Sequence, residues 1–134
     1  TGIPLNSVGN YVKLRGKEIE TNYYYHFKMT GKIAASGSVT SLTDEKGVDF
    51  NVSLDRLCYS YIFSECTSLT KAPELPAETL ADYCYSEMFY GCKSLTEAPE
   101  LPATNLAEDC YLEMFDVLNY YFYKFLKLYH NRIG

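Results

Sequence analysis

The sequence predicts an α/β repeat fold, a right-handed solenoid of about three stacked turns of 26 residues, each a short strand followed by a short helix, with a β cap at the N-terminal end. Three observations predict it. Residues 66–89 return as 92–115 with 17 identities in 24 positions and no gap. The positions that stay fixed are mostly large and apolar (Leu69/Leu95, Leu75/Leu101, Leu80/Leu106, Cys84/Cys110, Tyr85/Tyr111, Met88/Met114, Phe89/Phe115), whereas those that change are mostly polar. Each copy also divides into a strand-like half and a helix-like half, with prolines between them.

The strand half is Ser68-Leu69-Thr70, which favours an extended chain. Pro73 and Pro76 lack the amide that a central ladder needs, so pairing is expected to end near Ala72. The return half reads as a helix over 80–90. Thr79, with Ser53 and Asn105 at equivalent places, is a favoured N-cap residue. Asp82 and Glu108 stand three positions on, as in a capping box. Leu80, Tyr83/Cys84 and Met88 recur at three- and four-residue steps, and Gly91 stands where a helix would close in a left-handed turn. A strand, a proline-stiffened crossing and a helix make one turn of a leucine-rich-repeat superhelix.

Upstream, Ser41-Leu42-Thr43 precedes Ser68-Leu69-Thr70 by 27 residues, which places a degenerate first copy at 41–66. The repeat region is therefore expected over 41–115, between a β cap over 1–40 and an aromatic tail or cap over 116–134. In the cap, Val12 and Leu14 alternate with Tyr11, Lys13 and Arg15, and Tyr25, Phe27 and Met29 alternate with Tyr24, His26 and Lys28. Thr30-Gly31 offers a turn into Lys32-Ile33-Ala34-Ala35, so a hairpin is expected there. The tail, "DVLNYYFYKFLKLYHNRIG", has two readings: a closing helix with Val117, Tyr121, Phe125 and Leu126 over the last layer, or an accidental end that leaves a sticky face.

The phrase "CYSEMFYGCKSLTEAPELPAT" resembles the BspA-like leucine-rich repeats of bacterial surface proteins, and "FKMTGKIAASGSVTSLT" (27–43) resembles the lead-in to such arrays. The resemblance covers about three-quarters of the chain. It implies a cell-surface or secreted protein of a gut or oral bacterium, acting in adhesion or host contact, with a host or matrix protein or a glycan as partner. Such arrays are usually longer than this one.

Charge and composition narrow the alternatives. A net charge of −5 argues against nucleic acid, which needs a basic stripe. No run of 18 apolar residues exists to span a bilayer. The chain opens at Thr1 rather than Met, so its lack of a signal peptide decides nothing. Cys58, Cys84 and Cys110 share one register and Cys66 and Cys92 another. Helical layers about 8–10 Å apart would hold them beyond disulfide reach, so buried free thiols are expected. His26 and His130 are the only histidines, and no catalytic triad order, phosphate loop or zinc spacing accompanies them. Glu74/Glu100 and Glu87/Glu113 recur by repetition and read as solvated groups, since a catalytic carboxylate pair needs unlike environments. The expectation is a binding module without a cofactor, not an enzyme. The variable row flanking the strands, Thr67, Lys71, Lys93 and Glu97, is the expected binding surface, with Tyr61 and Tyr90 adding contact area. Self-association through 116–134 is the alternative.

Overall fold

The computed structural model describes residues 2–14, 26–43 and 54–115. Among them there is no α-helix. The regular elements are strand β1 (Ile33–Ala34), a 3-10 turn (Val39–Leu42) and strand β2 (Leu69–Lys71), which pairs in parallel with β1. The expected superhelix of strand–helix turns is therefore not what the chain builds. The copies nevertheless lie side by side, and their packing is the fold's main feature.

The segment expected as a helix is a ribbon of turns. Its even-numbered amides bond three residues back: Cys58 to Asp55, Ser60 to Leu57, Ile62 to Tyr59, Ser64 to Tyr61 and Cys66 to Phe63. Its odd-numbered amides point sideways into the next copy, Tyr59 donating to the Cys84 carbonyl at 2.9 Å and Phe63 to the Met88 carbonyl at 3.1 Å. The second copy repeats this toward the third, Tyr85 donating to Cys110 at 3.0 Å and Phe89 to Met114 at 2.8 Å. An α-helix would direct every amide along its own axis. Here half of them tie one layer to the next.

Such a ribbon needs positive φ at every fourth residue, the third position of each alternate turn. Leu57, Tyr61 and Glu65 take it at φ 64°, 62° and 60°, followed by Tyr83 and Glu87, Gly91, then Asp109 and Glu113. For a residue with a Cβ this costs about 1–2 kcal/mol. The cross-layer bonds and the core hold it in place. Tyr59, Ile62, Phe63 and Cys66 are buried at steps of three, one and three, as are Tyr85, Met88, Phe89 and Cys92. That spacing also belongs to one face of a helix, which is why the pattern reads as helical.

The core is made of columns running through the layers. Phe27, Phe63, Phe89 and Phe115 form one, with ring centroids 5.3, 5.6 and 5.7 Å apart. Tyr59, Tyr85 and Tyr111 form a second, at 6.0 and 6.1 Å. Each stacked pair contributes about 0.5–1.5 kcal/mol beyond its buried area. Leu69, Leu95, Leu75 and Leu101 are buried beside them.

The first layer differs from the expected register. Ile33 pairs with Leu69 and Ser38 with Glu74, each 36 residues apart, so 33–43 is itself the strand-side half of the first layer. From Thr79 paired with Asn105 onward the step is 26, and ten additional residues fall between 43 and 54. The hairpin expected in the cap is replaced by this parallel pairing, and Val12 and Leu14 lie exposed outside any strand. Ser38 opens the 3-10 turn, its Oγ accepting from the Thr40 amide at 3.2 Å. The capping residues serve the stack instead of a helix: Asp82 accepts from the Glu108 amide at 3.1 Å, and Asn105 Nδ2 donates to Thr79 Oγ1 at 3.2 Å. The closing helix expected in the tail, His130, Ser53 and Tyr25 lie outside the described residues.

Candidate functional site

The two halves of each layer are tied differently. On the strand side the first two layers are stitched together: Ala35 donates to the Lys71 carbonyl, Val39 to the Glu74 carbonyl, and the Glu74 amide to the Gly37 carbonyl. Residues 33–43 of the first layer contain no proline, so every amide there can donate. The second and third layers carry Pro73 and Pro76 against Pro99 and Pro102, four residues with no amide to offer. Between these two segments a groove of ≈ 500 Å³ opens. It falls within the size range of ligand sites.

It is lined by the repeated phrase itself, Ala72-Pro73-Glu74-Leu75-Pro76 facing Ala98-Pro99-Glu100 and Pro102, with Lys71 at the end of β2 and Glu97 at the equivalent position of the third layer. Its surface is part apolar, from Pro76, Pro99, Pro102 and the alanine methyls, and part polar. Four charged residues line it, one cationic and three acidic, all exposed: Lys71, Glu74, Glu97 and Glu100. The backbone bonds of Glu74 to Gly37 and Val39 fix where its carboxylate leaves the chain.

Of the row expected to bind, the structure brings Lys71 and Glu97 together in the groove. Thr67 and Lys93 are exposed just before the strand segments; the Thr67 carbonyl accepts from Ser94 Oγ at 2.6 Å. Tyr61 and Tyr90 sit on the turn ribbon. The Tyr61 hydroxyl donates to Glu87 Oε1 at 2.9 Å, and Tyr90 is exposed while its carbonyl accepts from the Glu65 amide. Glu74, Glu100 and the prolines were missed as lining residues. The signal for them was their identity in both copies, which reads as structural in the sequence.

The thiols are core groups. Cys66, Cys84, Cys92 and Cys110 are buried free thiols, and Cys58 is half-buried in the same column as Cys84. Cys66 Sγ donates to the Phe27 carbonyl at 3.0 Å and Cys92 Sγ to the Phe63 carbonyl at 3.1 Å. Burial pushes the Cys66 thiol up to about 11 and the Cys84 and Cys92 thiols up to about 12. A thiol held protonated in this way is a poor nucleophile. The layers repeat at about the 6 Å seen between stacked rings, closer than the roughly 8–10 Å of helical layers, so helical spacing is not what keeps the thiols from bridging. Tyr85 is buried among other rings, and its phenol is raised by loss of solvent. Among the described residues no three His, Cys, Asp or Glu side chains are grouped to hold a metal ion, and no helix is long and apolar enough to cross a membrane.

No family model, no curated protein and no solved structure matches the chain. The resemblance to BspA-like repeats accordingly rests on the phrases quoted from the sequence.

Proposed function

We propose that the chain is a non-catalytic binding module of the BspA-like kind, working at the outside of a bacterial cell in adhesion or host contact, and that the proline-walled groove is its docking surface. The observation that carries this reading is the groove of ≈ 500 Å³ walled by rigid residues from two layers and holding Lys71 and Glu97 of the variable row. Rigid walls lose little conformational freedom on binding, which favours affinity. The most nucleophilic side chains in the described core are thiols held in the neutral form, which supports binding over covalent chemistry. The test is amide chemical-shift mapping of the labelled protein against a panel of host-matrix proteins and glycans. Shifts clustered at 71–76 and 97–102 support the reading. Binding that leaves those amides unmoved removes the groove from it.

A second reading, self-association, is favoured by the third layer. Leu106 is 38% exposed, whereas its equivalents Leu54 and Leu80 are 7% and 6% exposed. Sedimentation of the chain with and without 116–134 decides it. A full chain that dimerises while the shortened one stays monomeric assigns assembly to that tail.

A further inference from the structure

We infer that the groove takes an extended cationic peptide, a segment of a partner protein presenting arginine or lysine. This rests on the binding-module reading above and adds the chemistry of the ligand. The groove lies between two segments running side by side, so its long direction suits an extended chain. The apolar groups it exposes are Ala72, Pro76, Ala98, Pro99 and Pro102, which can receive the aliphatic stems of Lys and Arg. The charged groups reaching it are Glu74, Glu97 and Glu100 against Lys71, an excess of two negative charges among the lining residues. The wider field has the same sign. Residues 1–115 carry 16 acidic and nine basic groups, so a cationic partner is drawn toward this part of the chain from a distance.

The change from Lys71 to Glu97 between otherwise similar copies makes the groove asymmetric. The second layer offers a cation at the end of β2 and the third a carboxylate at the equivalent position, while the Glu74/Glu100 pair is common to both. A basic side chain is therefore best received on the third-layer side, near Glu97 and Glu100. An acidic one meets its only favourable lining charge at Lys71.

The experiment uses the full chain and three short fluorescent peptides of one length: alternating Arg and Ala, the same with Glu for Arg, and the same with Gln for Arg. Binding is read by anisotropy at rising salt and located by amide chemical shifts. The Arg peptide is expected to move the amides of the non-proline residues at 71–76 and 97–102 and to weaken steadily with salt. Glu97→Gln and Glu100→Gln are each expected to weaken it about twofold to fivefold, the range of exposed ion pairs. Lys71→Gln is expected to tighten it. Glu108→Gln, an exposed carboxylate on the turn ribbon, serves as the control and is expected to change little. Equal weakening by Glu108→Gln would show general charge attraction and overturn the inference. If the Glu or Gln peptide binds the groove as tightly as the Arg peptide, the cationic preference falls while the binding module stands. If neither these peptides nor the matrix-protein and glycan panel shifts the groove amides, both fall.

Discussion

The two halves of each layer follow one repeat and behave differently. In the turn ribbon, alternate amides from 57 to 65 and from 83 to 89 donate to the next layer, and aromatic rings stack beneath them. On the strand side β1 pairs with β2, but between the second and third layers Pro73, Pro76, Pro99 and Pro102 cannot donate, and a groove opens beside them. A repeat can thus be continuous in sequence yet closed on one side and open on the other. The distribution of amides decides which side is which.

The largest expected effect comes from breaking the closed side. Phe89 lies between Phe63 and Phe115 and is buried. Phe89→Ala is expected to cost about 3–5 kcal/mol by denaturant melt, the range for deleting a buried phenyl ring. Pro99→Ala on the groove wall, half-buried, is expected to cost less than about 1 kcal/mol. Equal losses would mean that the two halves are not energetically distinct.

Alkali should act on the same side. The raised thiols and phenols, Cys66, Cys84, Cys92, Tyr59 and Tyr85, all belong to the ribbon and its core columns, with burial as the main cause in each. In the unfolded chain these thiols titrate near the ordinary value of 9.0, and in the folded protein near 11 to 12. The folded state therefore holds more protons in that interval. Its advantage is full below about pH 9 and is lost as pH rises toward about 12. Melting temperature is expected to be flat from about pH 7 to 8 and to fall steadily above 9. A flat profile up to pH 11 would show that these groups are solvated.

The sequence made the stacking legible and left the ribbon hidden. Fixed large residues such as Leu69/Leu95 and Phe89/Phe115 mark the core because identical layers bury identical positions. The spacing 59, 62, 63, 66 could not separate a helix from a ribbon with positive φ at every fourth residue, since both bring these positions to one side. The composition did hold a clue: Cys-Tyr-Ser-Tyr-Ile-Phe-Ser at 58–64 is poor in strong helix formers. The first layer was misplaced because the phrase Ser41-Leu42-Thr43 matches Ser68-Leu69-Thr70 in words, whereas Ile33 matches Leu69 in space. A fixed period cannot reveal ten additional residues in one copy. In the groove, variability pointed to Lys71 and Glu97, but it could not point to Glu74 and Glu100, which do not vary. Their exposure goes with the groove between the second and third layers, where four residues carry no amide.

The finest test of the comparison is within the ribbon, at one turn position occupied by two residue types. Glu65 has φ 60° and Gly91, its equivalent one layer on, has φ 72°. Glycine adopts this conformation freely, and glutamate does so at a cost of about 1–2 kcal/mol. A Cβ on Gly91 would also stand 2.7 Å from Glu65 Oε2, although that carboxylate is exposed and can swing aside. Gly91→Ala is thus expected to lose about 1 kcal/mol, mainly from backbone strain. Glu65→Gly should gain about 0.5 kcal/mol, because relief of strain is partly offset by the greater freedom of glycine in the unfolded chain. Opposite signs at equivalent positions, measured by denaturant melts, follow if both residues are held in the left-handed region, as they are in the ribbon. In a helix over 80–90 with Gly91 as its terminator, Gly91→Ala would still lose stability, but an equivalent helix over 54–64 would gain nothing from Glu65→Gly beyond what a C-terminal turn allows. The ribbon adds a discriminating pair inside the run: Tyr61 and Glu87 share the strained conformation, at φ 62° and 50°. Glu87→Gly, which also gives up the bond from the Tyr61 hydroxyl, should therefore lose less than the same change in a helix, where glycine alone costs roughly 1 kcal/mol.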